Sequence, residues 1–311
     1  MTYGFIIILF ILGTFTKSSR NSLSSVSHLS KRWFGQPAAQ THPHLIKEGE
    51  VTPGITKDEY KRRRCNLIRL ALQSHSNKNH IMIVPSATKQ IMTSVIPYPF
   101  HQNTDFWYLC GFLEPDSLLV MQFNSEQSPN TALFVPKRDP EKEMWDGPRS
   151  GIEGTLQLTG VDSAFNTDHL GDFLYGYLCD NSDFVVWYNK KSIVNPALQN
   201  NAVNDFIKEG KHSEMENVST ILQTLRLFKS QTEVNLMRKS CDIVADAFRE
   251  VMMYSHPGVS FVGCIDLILL PANVQLFLTF QFFLPISVSN ISYTRLLSFI
   301  LLPTCTDMAF F

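Results

Sequence analysis

The chain has almost no excess of charge. Its 27 Lys and Arg face 28 Asp and Glu over 311 residues, a net charge of −1. With no basic stripe and no aromatics set between clustered cations, nothing marks a nucleic-acid surface. Cysteine pairs are missing too. The six cysteines (Cys65, Cys110, Cys179, Cys241, Cys264, Cys305) contain no C-x-x-C spacing, which argues against a zinc site or a disulfide framework and fits a reducing compartment. There is no H-E-x-x-H and no G-x-S-x-G, and Gly147, Gly151 and Gly154 match neither a P-loop nor a dinucleotide fingerprint. Among nine histidines only His42-Pro43-His44 form a tight pair, in a linker without nearby carboxylates. That pair reads as exposed linker, not as a metal site.

Two further shortages lie toward the termini. Residues 1–47 contain no Asp or Glu; Glu48 is the first acid. An apolar run, Phe5 to Leu12, is followed by a Ser-rich stretch with Lys17, Arg20, Lys31 and Arg32. In a secretory signal the charge precedes the apolar run. Here it follows, so the pattern favours a mitochondrial transit segment, with secretory or membrane-anchored entry and an unprocessed disordered arm as the alternatives. From Asp266 to Phe311 the only charged residues are Asp266, Arg295 and Asp307. The uncharged stretch between Asp266 and Arg295 is long enough for a spanning helix. Pro271, Asn273, Gln275, Gln281, Pro285 and Asn290 interrupt it, however, and no helical period survives. The interruptions favour sequence not selected to fold there, such as a truncated or mis-spliced terminus, over a membrane anchor.

Between these ends the pattern is regular. Thr56-Lys57-Asp58-Glu59 has capping-box spacing, and Tyr60, Leu67, Ile68 and Ala71 then share one helical face. Lys61, Arg62, Arg63 and Arg64 read mostly as the opposite, solvated face. Strands are expected at Ile81–Val84, Ser117–Phe123, Thr131–Val135 and Asp183–Tyr188, and helices at Thr167–Cys179 and Glu216–Phe228. A second capping box, Ser230-Gln231-Thr232-Glu233, opens a helix whose apolar face carries Val234, Met237, Cys241, Val244, Ala245, Phe248 and Met252 and ends at His256-Pro257-Gly258. Strands alternating with helices predict an α/β domain with a mixed sheet.

The densest segment is Tyr98 to Ser117, Y-P-F-H-Q-N-T-D-F-W-Y-L-C-G-F-L-E-P-D-S. Its aromatics must bury large areas, and its polar groups must find partners. This block, together with R-D-P-E-K-E-M-W-D-G-P-R-S-G (Arg138 to Gly151) and L-R-L-F-K-S-Q-T-E-V (Leu225 to Val234), resembles the Xaa-Pro aminopeptidases, the aminopeptidase P branch of the "pita-bread" metallopeptidases. The likeness is greatest to the mitochondrial branch and runs from about Gln36 to Val262. It implies a creatinase-like, ribonuclease H-like N-terminal domain with a mixed sheet and flanking helices, then the first helix of a truncated pita-bread domain.

The resemblance also implies a reaction: release of an N-terminal residue that precedes proline. A water held by two metal ions, usually manganese, would do it, since paired metals share the hydroxide and stabilise the oxygen charge. The family's ligands are two Asp, one His and two Glu in G-H-x-x-G, D-x-x-R-T and Glu-Pro-Gly contexts. None of those motifs occurs in this sequence. The expectation is therefore no catalytic residues, no metal ligands and no activity for the chain alone. In relatives a Trp at the position of Trp145 reaches a neighbouring subunit's active site. Trp145 is the one substrate-lining residue carried over, and packing under its own loop is the competing reading. The loop is expected to be polar, with Asp139, Asp146 and Arg149. A family Asp seven positions before Gln102 is Val95 here, while Gln102, Asp105 and Trp107 are expected to fix their own loop. The resulting division is 1–47 targeting or disordered, 48–225 aminopeptidase P N-terminal domain, 226–263 the start of the peptidase domain, and 264–311 an apolar tail. Expected partners are peptide substrates and a second copy or full-length homologue, with neither nucleic acid nor membrane. The alternative function is a non-catalytic interaction protein.

Overall fold

A computed structural model describes residues 34–75, 78–93, 96–126, 129–190, 202–210, 214–256 and 258. The expectations for 1–33, for Val95 and for 259–311 lie outside them.

A small antiparallel hairpin, β1 (Glu50–Thr52) and β2 (Ile55–Thr56), leads into helix α1 (Lys57–Ser74). There follow β3 (Asn79–Pro85), α2 (Thr104–Cys110), β4 (Leu118–Phe123), β5 (Asn130–Val135), α3 (Pro140–Asp146), α4 (Gly151–Thr159) and β6 (Ser163–Asn166). A 3₁₀ turn at Thr167–His169 opens α5 (Leu170–Asp180), and the order continues β7 (Phe184–Trp187), α6 (Asn204–Glu209), β8 (Glu214–Glu216), α7 (Val218–Leu227) and α8 (Gln231–Tyr254). Six strands form one mixed sheet in the order β6-β5-β4-β3-β7-β8. The centre, β3-β4-β5, is antiparallel, and the flanking pairs β5-β6, β3-β7 and β7-β8 are parallel. This is the mixed α/β architecture that the alternating pattern predicts.

The sheet is buried on both faces, which is why its central strands read as continuous apolar runs. Along β3, Met82 and Val84 point into one core with Leu67, Ile68, Phe106, Phe112, Leu158 and Leu222, so α1, α2, α4 and α7 cover that face. Ile81 and Ile83 point the other way, into a core with Leu170, Leu174, Tyr177 and Phe206 from α5 and α6. A third cluster, Val51, Ile55, Tyr60 and Leu236, seats α8 on the hairpin.

The structure corrects several local expectations. Arg63 and Arg64 are buried, at 5% and 4% exposure, while Lys61 and Arg62 are exposed. Both buried arginines lie on the face that carries Tyr60, Leu67 and Ile68, and they reach carbonyls where helices end. Arg64 donates to Leu109 O and Gly160 O at 3.0 and 3.2 Å, and Arg63 to Tyr108 O at 3.2 Å. Orphan carbonyls at a helix C-terminus welcome a cation, so the basic run is half structural. The first capping box is also half formed. Thr56 accepts from Glu59 N–H at 3.3 Å, but the Glu59 carboxylate turns to Arg62 and Arg63. The helix expected from Glu216 begins at Val218, because Glu214–Glu216 is an edge strand. Hairpin β1-β2, α3, α4, α6 and β6 had no strong periodic signal.

Helix α8 has the reciprocal box in full. Ser230 Oγ accepts from Glu233 N–H, and Glu233 Oε2 accepts from Ser230 N–H at 2.7 Å. The side that meets the domain carries Glu233, Leu236, Ser240 and Ala247. The sequence placed the apolar face around Met237, Cys241 and Met252, and these are exposed, Met252 at 74%.

Candidate functional site

Among the described residues no group of three or more His, Cys, Asp or Glu could hold a metal ion. His42 and His44 lie with ring centroids 5.8 Å apart and join no such group. The described residues therefore do not fit a dinuclear metal centre. Cys110 offers no nucleophile either, since burial pushes its thiol up to about 12.

The aromatic block is an internal brace. Gln102 Oε1 accepts from Ala87 N–H at 2.7 Å and Asn103 N–H at 2.8 Å, and its amide donates to Phe112 O and Glu114 O at 3.2 and 3.0 Å. Asn103 caps α2 through Asp105 N–H and donates to Pro85 O at 2.7 Å. Phe106 and Phe112 are fully buried. Asp105 accepts from Ser219 Oγ at 3.1 Å and Arg226 Nη1 at 3.0 Å, tying α2 to α7. Gln102 thus fixes its own loop, as expected, whereas Asp105 joins that segment to α7 instead. Sequence reasoning missed Arg63 at the centre of this joint. Its guanidinium lies over the rings of Tyr60 and Tyr108, at 5.0 and 4.3 Å, and Nη2 meets Glu233 Oε1 at 3.0 Å.

Trp145 is elsewhere, and it is open. It is 88% exposed and Met144 beside it 78%, so packing under its own loop is excluded. The expected polar loop is a short helix, α3. Asp139 caps it, accepting from Glu141 N–H at 3.1 Å and Lys142 N–H at 3.5 Å, and Pro140 supplies the preset first turn. Arg138 grips Glu143 with both ends of its fork, 2.8 Å to each oxygen, and Lys89 Nζ meets Asp146 Oδ1 at 2.8 Å. These bonds hold the Glu143 and Asp146 carboxyls below their usual range. Just past α3 in the chain, Ser150 N–H donates at 2.8 Å to Oε1 of Glu114, which is buried at 3% exposure. Burial pushes the Glu114 carboxyl above the ordinary range. Gly35 passes so close that a Cβ there would stand 2.3 Å from Glu114 Oε1. No sequence pattern marks Glu114; the turn it begins was the only signal.

Known proteins resemble this chain in sequence and fold. Residues 60–187 match the family described as aminopeptidase P, N-terminal domain. Xaa-Pro aminopeptidase 3 of Mus musculus is 39% identical over 242 residues, 75% of this chain and 47% of the mouse protein. Intermediate cleaving peptidase 55, mitochondrial, of Arabidopsis thaliana is 31% identical over 237 residues, 76% of this chain and 45% of that protein. Among solved structures, a zinc-substituted E. coli aminopeptidase P in complex with product superposes with a TM-score of 0.62 at 26% identity, over 71% of this chain and 50% of that one. The chain thus spans about half the length of the curated relatives it matches. By the domain match over residues 60–187, the sequence identity to these relatives and the shared fold, the chain belongs to the aminopeptidase P family through its N-terminal domain.

Proposed function

We propose that this chain serves Xaa-Pro aminopeptidase chemistry by presentation. Its domain offers Trp145 to the active site of a neighbouring subunit, a second copy or a full-length homologue. The domain division at about residue 226 is part of the same reading, as is action on peptides whose second residue is proline. The two metal ions, manganese by family usage, would supply the activated water in whichever subunit carries their ligands. Because the described residues hold no fitting donor set, no hydrolytic step is assigned to this chain, and it is proposed to be inactive alone. A mitochondrial setting accords with the acid-free first 47 residues and with the plant relative's mitochondrial name. The alternative, a purely non-catalytic pairing protein, uses the same surface without the substrate contact.

The observation that carries the proposal is the 88% exposure of Trp145 on a helix built to hold it out. A photo-crosslinking p-benzoylphenylalanine at position 145, irradiated in a mixture with a full-length relative, tests it. Adducts on residues around the relative's metal centre are expected. Adducts confined to this chain would overturn the proposal.

A further inference from the structure

Helix α3 is an unusual support for an exposed tryptophan. It runs only from Pro140 to Asp146, and none of its residues is buried, so no apolar anchor holds it on the domain. A helix of that length is far too short to persist by itself, since isolated helices below roughly 12–15 residues are marginal. Its fixed position must come from its ends and its polar side.

Successive helical side chains point about 100° apart, which puts Glu143 and Asp146 on one edge and Met144 and Trp145 on the opposite one. The acidic edge is the gripped edge. Arg138, just before the helix, takes both oxygens of Glu143 at 2.8 Å, and the Glu143 side chain is only 14% exposed. Lys89 comes from a segment about fifty residues earlier and holds Asp146 at 2.8 Å. One clamp closes on the middle of the helix and the other on its last residue. Exposed ion pairs commonly contribute little. A planar fork on a half-buried carboxylate is the stronger kind, and here nothing apolar shares the task.

We propose that Arg138, Glu143, Lys89 and Asp146 are positioning residues for Trp145, two clamps that turn a short exposed segment into a rigid mount. The inference rests on the presentation of Trp145 argued above and names what sets its geometry. A mount ordered before contact spares the entropy of ordering the segment on binding.

The 311-residue chain, Lys89→Met and Glu143→Gln singly and together, with Trp145→Phe and Lys89→Arg as controls, provides the test. The ¹³Cα shifts of Glu141–Asp146 report helix content in α3, and urea unfolding reports the domain. In the double variant the helical shifts are expected to fall to roughly half or less, with the unfolding midpoint unchanged, because α3 buries nothing. Trp145→Phe and Lys89→Arg should keep the shifts. High salt should imitate the double variant in part. Helical shifts that survive the double substitution would overturn the proposal. Crosslinking from position 145 separates the two readings. Shifts that collapse while even the parent chain gives no adduct on a relative leave the clamps standing and remove the neighbouring-subunit role.

Discussion

Removing the guanidinium of Arg63 would take the counter-charge from the Glu233 carboxylate, and both side chains are nearly buried, at 7% and 11% exposure. Breaking a buried pair from one side costs about 3–5 kcal/mol. Arg63→Met should therefore lower the unfolding free energy by about that amount in urea. An unchanged midpoint would show the joint to be dispensable. The four-cation run Lys61 to Arg64 could not reveal this from sequence, because the carbonyls that receive Arg63 and Arg64 belong to α2 and to Gly160, far along the chain. His80 is a second buried group. Its Nε2–H donates to His75 O at 3.0 Å, and its Nδ1 accepts from Trp187 Nε1–H at 3.1 Å, which suits the neutral ring. Burial lowers its proton affinity. Below the unfolded pKa of about 6.5 the unfolded chain therefore binds the proton more readily, and stability falls with pH. The urea midpoint should drop between about pH 7.5 and 5.5, and His80→Phe, which keeps a ring against Phe123, should flatten that slope. Gly111 shows what a turn can impose. It caps α2 at φ 68°, and a Cβ there would stand 2.6 Å from the Tyr60 ring. Gly111→Ala should cost more than the 1–2 kcal/mol of the left-handed backbone alone.

Among the elements, those with buried periodicity were the readable ones. Strands β3, β4, β5 and β7 are apolar on both faces, and α1, α5 and α7 carry clear stripes, so all stood out in the sequence. Edge strand β8, Glu-Met-Glu, buries nothing completely and gave no signal. Helix α3 was hidden for the same reason, since ion pairs and a cap hold it rather than an apolar stripe. Helix α8 was legible in its start and misread in its face. Its capping box is complete, and Ser230→Ala should cost about 1 kcal/mol of stability. The buried side follows Glu233, Leu236 and Ser240 because Arg63 and the hairpin draw it there. The more apolar side, with Met237, Cys241 and Met252, is left open among the described residues. That much exposed apolar surface predicts binding of a hydrophobic dye by the purified chain, lowered when Met237 and Met252 are changed to Gln. Equal dye binding by the two chains would place the apolar patch elsewhere.

For the molecule as a whole, a sheet packed on both faces and a helix seated on the hairpin make up the core of the described residues. The architecture was readable from alternating strands and helices, and the three blocks beginning at Tyr98, Arg138 and Leu225 pointed to the family. The candidate site was readable only as a position, Trp145. Its mount draws on Lys89, which no local pattern connects to it. The central claim is that this chain presents and does not hydrolyse. The purified 311-residue chain, supplied with manganese and an Xaa-Pro-Xaa peptide, measures it most directly. No release of the first residue is predicted, whatever the metal concentration. Turnover that a chelator abolishes and added manganese restores would contradict the account.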